Sequence, residues 1–445
     1  MAVLQGSKVY RDRGGRRRRN MESSGRRQRD TLSRRLSPPP EADHFLHPIV
    51  LRAEELKQEE AEPVIVGGMV LDIHATPSMP ANPGTTTPGK VHYVLGGVAR
   101  NVAECMSKLG AKPFMLSAVG LDMAGNLLLE HWKSAKLSIE GIQMRHDIET
   151  AVVCNIFDAE GELAAAVASV EAVEKFLTAE WIKKFKSKLS TAPVLMVDAN
   201  LNPPALEASC LKAAKSDVPV WFEPVSVTKS SRVAPVVKYI TFASPNEDEL
   251  VAMANALSCD NVFCLIRKDD YRNFSTESLF QLLKPAIWVL LEKGIKIVLV
   301  TVGSNGVYLC SKGVSALMKS GSKRTYCGGL GRQLYKLVSA SCPPNQFSSA
   351  VESEGSSHLF AVHFPALTAS VVKLTGAGDC LVGGTLASIC AGLDVLQSVA
   401  VGIAAAKAAV QAVANVPAEY SLATIADDAG VVYSAAKVLC LQSKL

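Results

Sequence analysis

The chain has 445 residues, of which 48% are hydrophobic and 20% charged. That is enough for one large or two ordinary domains of a globular protein. Residues 1–40 carry twelve Lys or Arg against three acids, so with a total charge of +5 the remainder is net −4, which excludes a basic nucleic-acid-binding body. No stretch reaches 18 uninterrupted apolar residues, so no membrane span is expected. Eleven scattered cysteines without a C-x-x-C pair argue against a zinc site or a disulfide framework.

In chain order, residues 1–62 are rich in Arg, Pro, Ser and Glu. They lack the apolar surface that would offset ordering entropy, so a disordered tail is expected there. A solvated tail, an over-long start and an organelle transit peptide all fit it. Folded sequence begins at Pro63. VIVGG (64–68) reads as a buried strand, 99–110 as a helix closing at Gly110, 113–119 as a strand and 123–136 as a helix. Further strands are expected at 193–198, 219–222, 239–243 and 296–302, with helices at 178–188, 203–214, 246–256 and 275–292. This alternation predicts a three-layer α/β fold around a central, mostly parallel sheet. Residues 150–169 read as two strands around a turn at 158–161, and with residues 71–95 they would form a small β lid. Residues 311–358 are rich in Ser, Gly, Pro and Lys, and are read as a low-complexity insertion.

Four stretches carry chemistry. GGVARNVAECMSKLG (96–110) places Gly96 and Gly97 before a helix that carries Asn101. A tight turn is one reading, and close approach to a sugar is the other. Asp72 would be an acceptor just after the first strand, at the edge where ligands gather in open α/β sheets. SPNEDEL (244–250) sets Asn246 and Glu249 three apart at a helix start. They suit either capping or a hydrated Mg²⁺ with phosphate oxygens, with Glu223 and Lys229 of EPVSVTK (223–229) nearby. VTVGSNGVYL (300–309) is either a plain hairpin or a floor for a nucleotide made by Thr301, Gly303 and Gly306. LTGAGDCLVGG (374–384) sets Gly376, Ala377 and Gly378 at a helix start as a cradle of N–H groups. Asp379 follows at once, placed to accept the proton of an attacking alcohol.

Together these stretches resemble the ribokinase-like, or PfkB, family of carbohydrate and nucleoside kinases, over roughly residues 63–310 and 359–430. GGVARNVAECMSKLG is similar to its first signature and LTGAGDCLVGG to its second. The resemblance implies a ribokinase-like fold and a kinase domain over 63–430, followed by a C-terminal segment, 431–445. It implies Asp379 as catalytic base, Gly376 to Gly378 as anion hole, and Asn246 and Glu249 as the metal and phosphate motif. Asp72, Gly97 and Asn101 match sugar-contacting positions. It also implies ATP with Mg²⁺, a monovalent cation such as K⁺, and a homodimer through the lid. GGVARN, VGLDMAG (119–125) and EPVSVTK look most like the pseudouridine kinases of the family, with Glu223 where an Asp is usual. The expected substrate is then pseudouridine. The alternatives are ribose, adenosine or inosine–guanosine, or a non-catalytic relative. Lys373 stands where many members have an acid, and VGIAAAKAAV (401–410) lacks an Asn that some members have. Ser443-Lys444-Leu445 reads as a ligand for the peroxisomal import receptor, so a peroxisomal protein is expected, with the cytosol as alternative.

Overall fold

The computed structural model describes residues 62–81, 84–158, 163–258, 262–264, 274–313, 329–344 and 358–443. The strands are β1 (Val64–Val66), β2 (Val70–Pro77), β3 (Gly89–Gly96), β4 (Phe114–Gly120), β5 (Ile142–Arg145), β6 (Ala151–Phe157), β7 (Leu163–Ser169), β8 (Leu195–Asp198), β9 (Val220–Glu223), β10 (Phe242–Ala243), β11 (Ile297–Thr301), β12 (Val307–Lys312), β13 (His358–Phe364) and β14 (Lys437–Ser443). A 10-stranded sheet runs in the order β14-β13-β12-β11-β10-β9-β8-β1-β4-β5. From β11 to β5 every pairing is parallel, whereas β12, β13 and β14 add antiparallel neighbours at one end.

Side chains alternate across this sheet as the period of a strand requires. Ile65, Met196, Trp221 and Leu299 enter one core, while Val64 and Val66, Leu195 and Val197, Val220 and Phe222, and Val298 and Val300 enter the other. Both faces are therefore covered by helices, and the parallel strands read as continuous apolar runs. Helix α1 (Val98–Lys108) packs on α4 (Ala377–Ala391), and α4 in turn on α5 (Val395–Val410). Gly383 and Gly384 permit this closeness. A side chain at Gly383 would meet Cys105 Cβ at 2.7 Å, and one at Gly384 would meet Ala405 Cβ at 2.9 Å. The chain also forms helices α2 (Glu247–Leu257), α3 (Gly329–Ser341) and α6 (Leu422–Ala435), of which α2 starts at the site. Among the described residues no helix is long and apolar enough to cross a membrane.

A second sheet of four strands, β3-β2-β6-β7, is made from residues 70–96 and 151–169. Its root is latched by Asp122, which accepts from the Thr150 N–H at 2.7 Å and from its hydroxyl at 2.7 Å, just where β6 begins.

Three stretches differ from the reading of the sequence. Residues 329–341, inside the expected insertion, form α3, with Leu334, Val338 and the following Cys342 fully buried in the core. Their spacing of four residues is a helix face, obscured by the polar stretches on either side. Those flanks (314–328 and 345–357) lie outside the described residues. The helix expected at 178–188 is two short helices, Ala179–Lys184 and Lys186–Thr191, because Phe185 turns its ring onto Phe114 and Trp181. At the C-terminus α6 continues through residue 430 to Ala435, and β14 then joins the main sheet. Ser443 closes that strand, and Lys444-Leu445, like residues 1–61, lie outside the described residues.

Candidate active site

The carboxyl ends of the parallel strands bring the polar residues together. Asp198 and Glu223 are register partners at the ends of β8 and β9. Thr301 ends β11, and it bridges to Asn246, which follows β10. The loop Gly67-Gly68 leaves β1 at the same edge. A Cβ at Gly67 would lie 2.1 Å from Asp198 Oδ2, so only glycine lets that buried carboxylate accept the Gly68 N–H at 2.9 Å.

Asp379 sits in the first turn of α4. Asn101 Nδ2 on α1 donates to Asp379 Oδ2 at 2.6 Å. The carboxylate keeps an open edge yet lies low in the cleft. Burial pushes its pKa up to about 6, against the pull of Asn101 and Arg100 and with the push of Asp198 and Asp72. Such a group is ionised at neutral pH and basic enough to take a proton. Gly376 caps the helix at φ 88°, a left-handed conformation, and no side chain caps its N–H groups. A Cβ on Gly376 would meet Asn415 O at 2.3 Å, whereas one on Gly378 would meet nothing within 4 Å. Gly376 is therefore needed for the packing of the chain, and Gly378 is the residue that opens onto free space.

The lid reaches the same point. Asp72 Oδ2 on β2 accepts from Asn415 Nδ2 at 3.2 Å, and Asn415 Oδ1 accepts from Lys373 Nζ at 2.6 Å. Burial raises the Asp72 pKa, while Asn415, Arg100 and Lys373 pull it down. Gly96 makes room for that carboxylate, since its Cβ would lie 2.2 Å from Asp72 Oδ2. Gly97, at φ 95°, lies close under Gly68 O. Asp72, Gly96, Gly97, Asn101, Gly376 and Asp379 thus form one cluster.

Glu223, Asn246, Glu249 and Thr301 form a second. Asn246 and Glu249 make a capping box on α2: Asn246 Oδ1 accepts from Glu249 N at 2.9 Å, and Glu249 Oε2 from Asn246 N at 2.9 Å. Ser244 Oγ donates to Glu223 Oε2 and accepts from Trp221 Nε1. Val225 lies at φ 67°, strained for a β-branched residue, and its N–H bonds the Glu223 carboxyl. Burial, then the charge of Glu249 and that of Asp379, raise the Glu223 pKa well above the carboxylate range. Burial, the neighbouring Asp248 and Glu247, and Asp379 raise that of Glu249, against its bond from the Asn246 N–H.

The crowded carboxyls at this edge are the environment a divalent cation relieves. Among the described residues no three His, Cys, Asp or Glu converge as a ready chelate, so a cation at this edge would need waters and phosphate oxygens to complete its shell. Lys229 is engaged elsewhere, with Nζ donating to Asn200 Oδ1 beside Asp198. Gly306 is a packing glycine, its Cβ position 2.1 Å from Phe364 O, whereas Gly303 faces open space.

Five residues in or behind the clusters were not singled out in the sequence. Asp198 ends a strand, the same signal that marked Asp72. Arg100, Glu104 and Lys108 stand at i, i+4 spacing inside the first quoted motif, where pairing was readable. Asn415, in a loop after α5, gave no local signal.

The fold and this edge define a phosphotransferase with an alcohol as acceptor. The sequence profile described as the pfkB family carbohydrate kinase matches residues 61–325, and the chain belongs to that family. It is 53% identical over 384 residues to a pseudouridine kinase of Arabidopsis thaliana, covering 86% of this chain and 100% of that protein. A pseudouridine kinase of Escherichia coli (strain K12) is 29% identical over 42% of this chain and 58% of its own. The structure of Arabidopsis thaliana ribokinase complexed with ribose and ATP superposes with a TM-score of 0.62 at 17% identity, covering 83% of this chain and 99% of that one. The fold is therefore ribokinase-like.

Proposed function

We propose that the protein transfers the γ-phosphoryl group of ATP to the 5′-hydroxyl of pseudouridine. The observation that carries the reading is Asp379, an ionised but basic carboxylate held by Asn101 at the mouth of the uncapped helix α4. The 53% identity to a full-length pseudouridine kinase supports the choice of nucleoside. In this reading Asp379 takes the hydroxyl proton, the alcohol oxygen bonds to the γ-phosphorus, and the bond to the β-phosphate oxygen breaks to release ADP. The N–H groups at Gly376 and Gly378 receive the charge that develops on the equatorial oxygens, with Ala377 between them giving its N–H to Leu374 O at 3.2 Å. Asp72 and Asn101 face the ribose, with Gly96 and Gly97 giving close approach. Thr301 and Gly303 lie towards the nucleotide, with Gly306 supporting that edge by its packing under Phe364 O, while Lys229 stays with Asn200 beside Asp198. Glu223, Asn246 and Glu249 would hold hydrated Mg²⁺, which supplies charge neutralisation of the phosphates when bound. A monovalent cation such as K⁺ is a further activator, read by exchanging it for choline.

Two further statements belong to this reading. Val91, Tyr93, Ile156 and Val167 are exposed and lie on the lid face opposite Asp72, as their register shows. A second copy of the chain would cover them, and the mass in solution at micromolar concentration tests for that dimer. The terminal Ser-Lys-Leu directs peroxisomal import, which a fluorescent fusion with residues 443–445 left free tests by its location.

The activity is tested with the full chain, Mg·ATP and a panel of pseudouridine, uridine, adenosine, inosine, guanosine and ribose, following ADP release and the phosphorylated product. Pseudouridine should give the highest kcat/KM. A higher value for ribose or adenosine would replace the substrate, and ADP release from none of them would remove the reading.

A further inference from the structure

We propose that Arg100, buried behind Asn101, is a positioning residue of this site: its guanidinium fixes the Asn101 amide so that the NH₂ group, and not the carbonyl, faces Asp379. The proposal rests on the reading of Asp379 as the base. Arg100 is 2% exposed. One terminal nitrogen donates to Leu95 O at 2.8 Å and to Asn101 Oδ1, and the other donates to Glu104. Glu104 is buried as well, and it also accepts from Lys108 Nζ at 2.6 Å and lies 3.1 Å from His131 Nε2.

The argument is one of hydrogen-bond inventory. An amide has one acceptor end and one donor end, and a guanidinium has donors only. With its oxygen gripped by Arg100, Asn101 can present only N–H to the carboxylate. Turned over, it would set oxygen against oxygen at Asp379 and N–H against N–H at Arg100. Two more contacts hold the guanidinium itself in place, the end of β3 through Leu95 O and the next turn of α1 through Glu104. Burial works against ionisation of Glu104, but His131, Arg100 and Lys108 outweigh it and hold its pKa down at about 2. The anchor therefore stays charged throughout the working range. Arg100 is also the cation that faces Asp379, against Asp198 from β8, Asp72 from β2, and Glu223 and Glu249 across the strand ends. Removing Arg100 leaves Glu104 with Lys108 and His131, so the substitution does not strand a buried charge.

A double-mutant cycle tests it, using Arg100→Met, Asn101→Ala and the pair, with pseudouridine or whichever substrate of the panel turns over fastest. Each single variant should lower kcat by about 10- to 100-fold, the worth of a hydrogen bond to a charged group. Measured well above the acid limb, where the direct charge effect on Asp379 no longer counts, the pair should be no slower than Asn101→Ala alone, because Arg100 acts through that amide. Arg100→Met should move the acid limb of kcat/KM up by about one pH unit, the loss of a nearby opposite charge. Arg100→Lys keeps the charge without the two-pronged grip, so its limb should stay in place while kcat stays low. If Arg100→Met does not fold, the cycle is run with Arg100→Lys. Losses that multiply in the pair, or a folded Arg100 variant with parental kcat, would overturn the proposal. Parental turnover in Asp379→Asn would instead remove the reading of the base.

Discussion

Two helix N-termini at the carboxyl edge of the sheet stand in opposite states. On α2 the backbone donors are met from within: Asn246 takes the Glu249 N–H and Glu249 returns to the Asn246 N–H. On α4 the cap is Gly376, with no side chain on its N–H groups and only the Ala377 N–H given to a backbone carbonyl, Leu374 O at 3.2 Å. The first turn of any helix leaves donors without intrahelical partners and a partial positive charge. At α2 part of that capacity is used for stability. At α4 it is left open beside a basic carboxylate. Helix α1 lies between, with no side-chain cap on Gly97 but with its Arg100 N–H given to Gly68 O at 3.2 Å. A helix that meets an anion must forgo its own cap, and the chain separates the two tasks between α2 and α4.

The hardest test of this contrast is Asp379→Asn, which keeps the shape at the open helix and removes the proton acceptor. Turnover should fall by about 10²–10⁴-fold with little change in the KM for nucleoside, as steady-state ADP release will read. In the parent, kcat/KM should decline below about pH 6 as the carboxylate is protonated. The same substitution should stabilise the fold. The Asp379 pKa is raised from 3.8 to about 6, so the native state binds this proton more tightly than the unfolded chain. Stability is lost as the pH rises through that window, and the cost is fully present above it. Asp379→Asn should therefore melt above the parent at neutral pH, with the difference gone below the ordinary carboxylate pKa. An inactive variant no more stable than the parent at neutral pH would mean that the carboxylate is not strained by burial.

Next in size is a pair of glycine substitutions. Gly378→Val places its Cβ where no atom outside its own helix and chain neighbours lies within 4 Å, so the melting temperature should hold while turnover drops by about tenfold or more through crowding of bound phosphate. Gly376→Ala should do the reverse first and lose stability. Its φ is 88° and its Cβ would meet Asn415 O at 2.3 Å, a conformation costing about 1–3 kcal/mol for a non-glycine residue. Equal melting temperatures for the two would break the division between a packing glycine and an open one.

The parallel sheet was legible because strands buried on both faces read as apolar runs, and the open helix because three small residues before an acid have few other uses. Asn246 and Glu249 remained ambiguous for a physical reason. The Asn-x-x-Glu spacing that suits a capping box is also the one that sets two oxygen ligands on one helix face. Asn415 was invisible because its meaning comes from Lys373 and Asp72, 42 and 343 residues away. Helix α3 was hidden by composition averaged over a long polar stretch, although the spacing of Leu334, Val338 and Cys342 carried its signal. Chemistry written into contiguous residues could be read, and chemistry assembled by long-range packing could not.

The smallest effect expected is at the capped helix, and it decides what the cap is for. Asn246→Ala removes the side-chain acceptor for Glu249 N, and losing such a cap costs about 1 kcal/mol. Asn246→Ser restores a capping oxygen on a shorter side chain. If the cap is the whole role of Asn246, Asn246→Ser should recover both the melting temperature and the parental dependence on Mg²⁺ concentration. If the amide also meets the water shell of the cation or a phosphate oxygen once ATP is bound, Asn246→Ser should recover the melting temperature and still need more Mg²⁺ and more ATP for half-maximal rate. The capping box and the ligand would then use the same two side chains in turn. The capping box holds Asn246 and Glu249 in register with each other, and binding of Mg·ATP would draw on that ordering instead of creating it. Thermal scans of the three proteins with and without Mg·ATP separate these outcomes. A nucleotide-induced gain in melting temperature equal in all three would leave α2 as a closed, purely structural terminus and the open donors of α4 as the phosphate contact at this edge.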